Sequence, residues 1–203
     1  MPGRTRRTAI RKHPVDGPVL VRALGLDGDR VADTRNHGGE WKALYAFAVE
    51  DLATWSTRLG TQLAPGAFGE NLTTSGIDVN EALVGETWRV GTALVQVVSV
   101  RIPCSTFQGW LGSQGLDATA WVKRFTAEGR PGPYLRVLEE GVVEPGDPLV
   151  VEDRPDHGVT VSTMFRALTT ERELLPRLLG VPDIDPEAHY TARAALAADR
   201  PSP

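Results

Sequence analysis

Short apolar runs cut apart by glycine and proline constrain this chain more than any other feature. Val19-Leu20-Val21 lies between the turn signals Asp16-Gly17-Pro18 and Gly25. Ala43 to Ala48 is continuously apolar, the pattern of a strand covered on both faces. Val84 to Gly91 and the run Ala93 to Val98 read as an antiparallel pair joined across Gly91. Tyr134 to Leu138, Val142-Val143 and Leu149 to Val151 then follow one another through further glycine and proline turns. Many short strands of this kind predict a closed or nearly closed β-barrel. Helices are inserted into it. One starts at the acidic Glu50-Asp51, and another covers Ala118 to Ala127 with Trp121, Val122 and Phe125 facing the core.

The pattern changes after Pro155. Thr160 to Leu168, Glu171 to Leu179 and Pro186 to Ala198 read as three short helices, the second with Thr169 and Thr170 as candidate caps. Pro176 bends or shortens that second helix. Asp185 caps the third, with Pro186 at the favoured first position. The expected organisation is a barrel domain over residues 1–155 and a small three-helix appendage with a tail over 156–203. Helices this short need something to pack on. The candidates are each other, the barrel or a second subunit. The apolar stripe Met164, Phe165 and Leu168 suits either packing on the barrel or a surface for a homodimer or an electron donor.

Charge and cysteine usage narrow the function. A net charge of -4 gives no basis for non-specific nucleic-acid binding. No apolar run approaches the roughly 20 residues that span a bilayer, and no apolar segment follows the basic start Met1 to Arg7. One cysteine in 203 residues excludes an intramolecular disulfide and a cysteine-rich metal site. The expectation is a soluble cytoplasmic protein.

That cysteine stands in Val100-Arg101-Ile102-Pro103-Cys104-Ser105-Thr106-Phe107, where a strand breaks at Pro103 and delivers Cys104 into a loop. The guanidinium of Arg101 favours the thiolate, the nucleophilic and metal-binding form. An unbridged cysteine also packs as a small hydrophobe, and this stretch alone leaves both readings open. Two other loops are long or glycine-punctuated: Gly28 to Gly39, and Pro65 to Thr74 with Gly66 and Gly69 on either side of Phe68.

Three sets of residues in those loops carry a resemblance. Gly28-Asp29 with His37-Gly38-Gly39 and Lys42-Ala43 is the first, Phe68-Gly69-Glu70-Asn71-Leu72 the second, and Arg101-Ile102-Pro103-Cys104 the third. In this order and spacing, from about Thr8 to Val151, the chain resembles the MOSC domain family (molybdenum cofactor sulfurase C-terminal domain). The segment from His157 onward is similar to the three-helix domain of the YiiM-like branch. The resemblance implies a MOSC β-barrel and a molybdenum cofactor, with Cys104 as the protein's thiolate ligand to the metal. It also implies reduction of N-hydroxylated compounds, including hydroxylaminopurine-type base analogues, with electrons from a separate reductase. Arg11, Lys12, Arg101, Lys42 and the backbone of Gly38 and Gly39 are then candidates for holding the cofactor. His37 and Asn71 are candidates for orienting cofactor or substrate, and Glu70 for relaying a proton. After Cys104 the family often has Lys-Leu, where this chain has Thr106-Phe107. Two other readings compete: a module that binds or hands on the cofactor without turnover, and a cysteine hydrolase pairing Cys104 with His37. Neither a GxSxG-like nor a papain-like context supports the hydrolase. The absence of a glycine-rich fingerprint after a strand, or of a CxxC pair, points to an external electron source.

Overall fold

The structure is a computed structural model that describes residues 10–29 and 38–198. Its spine is β6, Ala93–Val100, in which every residue but Leu94 is buried. The strict apolar–polar alternation of a half-exposed strand is lost here because both faces are covered. On one side β6 pairs antiparallel with β5, Thr87–Val90, through the turn at Gly91-Thr92. On the other it pairs antiparallel with β7, Pro133–Glu139. Next to β7 comes β3, Leu44–Ala48, buried at all five positions, and β4, Leu72–Thr74, lies parallel to β3 at the edge. With β9, Leu149–Asp153, on β5, the order is β4-β3-β7-β6-β5-β9, a curled half-barrel. A second sheet, β2-β1-β8, is built from Gly25–Leu26, Val19–Arg22 and Gly141–Val143.

Helices fill the gaps between strands. The first, α1 (Val49–Leu59), buries Leu52 and Trp55 and ends at Gly60 in the left-handed conformation. Two more, α2 (Ser105–Ser113) and α3 (Trp121–Glu128), bury Phe107, Leu111, Trp121 and Phe125. Trp55 and Trp121 have ring centroids 4.6 Å apart, and Phe68 stacks on Phe47 at 4.6 Å. Val122, expected in the core, is exposed, because it lies with Lys123 on the solvent face of α3, away from Trp121 and Phe125. The segment after Cys104, expected as a loop, is α2. The expected 65–74 loop contains β4 near its end. Those misses have one cause: α2 is short and glycine-containing, and β4 has three residues, too few for a period to show.

The C-terminal helices are α4 (Val161–Thr169), α5 (Leu175–Leu178) and α6 (Pro186–Ala198). Thr160 caps α4, its Oγ1 accepting from the Thr163 N–H at 3.1 Å. The second expected helix is cut to a 3₁₀ turn at Arg172–Leu174 and four residues of α5, with Pro176 in its first turn and Glu171 rather than Thr169 or Thr170 preceding it. Asp185 caps α6 through the Glu187 N–H at 3.0 Å. It also ties that helix to β6, accepting from Ser99 Oγ at 2.9 Å and donating its N–H to Val98 O at 3.0 Å. The apolar stripe of α4 is not a free surface. Met164 and Phe165 are fully buried and Leu168 is half-buried, with Phe165 edge-on to Phe125 at 6.2 Å. One hydrophobic cluster runs from the sheet through Val159, Met164, Leu178 and Ala192, so the stripe lends no support to a dimer or donor interface. Among the described residues no helix is long and apolar enough to cross a membrane.

The turn into β7 fixes the edge of the site. Asn80 Oδ1 accepts from the Gly132 N–H at 3.0 Å, and Asn80 Nδ2 donates to Asp51 at 2.9 Å. Arg130 clamps Asp51 and Asp78 beside them. Gly132 has φ +71°, and a Cβ there would run into the Ala46 carbonyl oxygen. Gly132→Ala is therefore expected to cost more than about 2 kcal/mol of stability, since strain and clash add. Chemical denaturation checks this; a loss below about 0.5 kcal/mol contradicts it.

Candidate functional site

The site is built where β6 ends. Val100 still pairs with Pro133 of β7, and the Arg101 N–H reaches Gly132 O at 3.4 Å. Pro103 then stops the ladder. Cys104 is extended (φ −133°, ψ 159°) and forms the N-cap of α2, its carbonyl accepting from the Gln108 N–H at 3.2 Å. The half-buried thiol thus sits at the positive end of a nine-residue helix. A helix N-terminus and a nearby cation both stabilise a thiolate.

The cation is Arg101. Its guanidinium lies between two rings, 4.8 Å from the Tyr45 centroid and 4.4 Å from the Phe107 centroid, and Nη1 donates to Phe68 O. The three partners come from β3, from α2 and from the loop between α1 and β4, so one side chain gathers three segments. Burial opposes its charge, but the Tyr45 and Tyr134 phenols and the Cys104 thiol hold its pKa above the usual guanidinium value. It is a fixed positive charge.

Two tyrosines flank it, and neither was foreseen as a site residue. Tyr45 and Tyr134 are cross-strand partners on β3 and β7, with ring centroids 5.3 Å apart. The Tyr45 hydroxyl donates to Pro131 O at 2.6 Å. Burial raises the pKa of both phenols, although Arg101 pulls each of them the other way. A folded pKa above the unfolded value of about 10 means that the associated stability is present in full below about pH 10. It is lost as pH rises further. Alkaline titration is accordingly expected to show Tyr45, whose hydroxyl is buried against Pro131 O, ionising only as the protein unfolds. Complete tyrosinate absorbance from a protein that keeps its far-ultraviolet circular dichroism contradicts this.

The other candidates divide. Asn71 is held against Tyr45: its N–H donates to Tyr45 O at 2.8 Å and its Oδ1 accepts from the Tyr45 N–H at 3.1 Å. Its Nδ2 donates to Asp29 Oδ2 at 2.7 Å, and Asp29 in turn pairs with Lys12. Asp29 is the link between these two predicted residues. Glu70 lies behind the site, buried, with its carboxylate accepting from the N–H groups of Gly66 at 2.7 Å and Phe68 at 2.9 Å and from Thr73 Oγ1 at 3.2 Å. Its placement is that of a loop clamp rather than of a group facing a ligand. Gly66 and Gly69 have positive φ and let the backbone of Lys12 and Ile10 come close, which lays the N-terminal segment along the Phe68 loop.

Lys42 ends the 3₁₀ turn Glu40–Lys42 and pairs with Glu187 of α6 at 3.1 Å; its charge is also felt by Tyr134. Gly38 and Gly39 both have φ near +80°, and a Cβ at Gly39 would meet nothing within 4 Å, so the backbone there faces open space. Arg11 is exposed and stands apart from these contacts. His37 lies outside the described residues.

The donor set decides what such a place can hold. Cys104 is the one thiol in the chain, with the Arg101 guanidinium as the cation near it. Among the described residues no group of three or more His, Cys, Asp or Glu side chains is placed to hold a metal ion. A metal bound through Cys104 must bring its remaining ligands with it, and the dithiolene sulfurs of a molybdenum cofactor do that. The residues present fit that group.

Residues 33–150 match the family model described as MOSC domain. The Uncharacterized protein YflK of Bacillus subtilis is 35% identical over 159 residues, 78% of this chain and 70% of that protein. A Gibberella moniliformis protein named Reductase is 29% identical over 185 residues, 88% of this chain but only 32% of that protein's length. The crystal structure of YiiM from Geobacillus stearothermophilus superposes with a TM-score of 0.78 at 31% identity, covering 92% of this chain and 88% of that one.

Proposed function

Because the chain belongs to the MOSC domain family, we propose that it binds a molybdenum cofactor through Cys104 and reduces N-hydroxylated compounds of the hydroxylaminopurine type. The observation that carries this reading is the placement of Cys104 at the start of α2 beside the fixed charge of Arg101. The overall reaction balances as R–NHOH plus two electrons and two protons giving R–NH₂ and water. When bound, the cofactor supplies the two-electron chemistry. The similarity to a region of a protein named Reductase supports an oxidoreductase role, with the electrons delivered by a separate reductase.

The chain's own residues bind and orient. Cys104 would supply the thiolate, the form that Arg101 and the helix end favour. Lys42 and Lys12, with the exposed Arg11 next to Lys12 in the chain, would hold the cofactor's phosphate through charge-assisted contacts. Lys42 can exchange Glu187 for such a ligand at small cost, because the Glu187 side chain is 78% exposed and its ion pair is already weakened by water. The backbone at Gly38 and Gly39 can approach a ligand closely. Asn71 and His37 orient the substrate, and Glu70 keeps the Phe68 loop in place under Arg101.

Anaerobic turnover of 6-hydroxylaminopurine with an artificial reductant tests the reading. Expected is one adenine per two electrons consumed. Molybdenum-loaded protein that consumes no substrate indicates a binding or carrier module instead.

A further inference from the structure

The two tyrosines beside Arg101 differ in one respect. Tyr45 has its hydroxyl taken up by Pro131 O at 2.6 Å. The Tyr134 hydroxyl enters no hydrogen bond with any of the described residues. It is also not one of the buried side-chain atoms left without a partner, which are Trp55 Nε1 and Thr74 Oγ1. Tyr134 is half-buried, so its ring is fixed by packing while its hydroxyl reaches solvent-accessible space.

That space is the site. Tyr134 pairs with Ser99 and its neighbour Pro133 with Val100, which sets Tyr134 against the last residues of β6 before the chain leaves toward Cys104. Its ring lies 5.3 Å from that of Tyr45, whose own ring lies 4.8 Å from the Arg101 guanidinium. A phenol packed on the Tyr45 ring at the strand end that leads to Cys104, with its donor unused by any described residue, is arranged to meet an oxygen of a bound ligand.

We propose that Tyr134 is a positioning residue that donates its hydroxyl hydrogen to the oxygen of the substrate's N–OH group. This rests on the substrate class given under Proposed function. Placing the N–O bond is a different task from ligating the metal, so its loss shows in ligand discrimination rather than in molybdenum content.

The experiment is equilibrium binding of 6-hydroxylaminopurine and of adenine, without reductant, to the native holoprotein and to Tyr134→Phe. The two purines differ only by the oxygen in question. Tyr134→Phe keeps the ring on Tyr45 and removes a hydroxyl that bonds to none of the described residues, so the fold is expected to stand. Affinity for 6-hydroxylaminopurine is expected to fall about tenfold, the worth of one hydrogen bond, with adenine affinity and molybdenum content unchanged. Equal weakening of both purines, or of neither, overturns the inference alone. A fall in molybdenum content assigns the hydroxyl to the cofactor and also overturns it. A native holoprotein that binds neither purine overturns the substrate class itself, and the inference falls with it.

Discussion

Cys104→Ser is expected to lower 6-hydroxylaminopurine turnover more than about a hundredfold, beyond what loss of an outer-shell contact produces. Serine nearly matches cysteine in size and keeps the N-cap position, a place where its hydroxyl is welcome. What changes is the donor. A hydroxyl remains protonated at neutral pH and is a hard oxygen, whereas a thiolate is the soft ligand that the proposed molybdenum prefers. Because Cys104 is half-buried, the fold is expected to lose about 1 kcal/mol or less. Steady-state rates beside a melting curve separate the two effects. Turnover retained within a few-fold in a folded Cys104→Ser protein contradicts the assignment of Cys104 as ligand.

Arg101→Lys carries the second largest expected effect. Charge is preserved, so a purely electrostatic role predicts little change. The geometry predicts otherwise. The flat guanidinium stacks between Tyr45 and Phe107 and holds Phe68 O at the same time. An ammonium offers no plane to stack and cannot satisfy both constraints. Loss of two ring contacts and one charge-assisted hydrogen bond amounts to about 2–3 kcal/mol. The Phe68 loop is then no longer anchored to the strand end that carries Cys104. Expected are a lower denaturation midpoint and a lower fraction of protein retaining molybdenum after gel filtration. An Arg101→Lys protein with native stability and full metal retention contradicts the positioning role.

The central strands were readable because their neighbours leave strong patterns. Ala93 to Val98 is apolar but for Gln96, Leu44 to Ala48 is wholly apolar, and both strands lie inside the six-stranded sheet. Helix α6 was readable from its cap, since Asp185 and Pro186 specify its start locally. Pieces defined by tertiary context were not. Residues Leu72–Thr74 become a strand only because β3 lies beside them, and α2 begins where Pro103 releases the chain. The same distinction governs the site. Cys104 and Arg101 are marked by residue type and spacing. Glu70 looked like a polar loop residue, and only the Gly66 and Phe68 amides reveal its task. Asp29 joins Lys12, 17 residues before it, to Asn71, 42 residues after it, which no local pattern encodes. Tyr134 belongs to the same class: an apolar strand position until the register sets it beside Tyr45 and the end of β6.

Metal analysis of the native protein and of Cys104→Ala, both purified from cells that make the cofactor, tests the central claim most directly. The account predicts molybdenum approaching one atom per chain in the native protein and none above background in Cys104→Ala, with both proteins folded. Molybdenum retained in Cys104→Ala, or absent from both folded proteins, would contradict it.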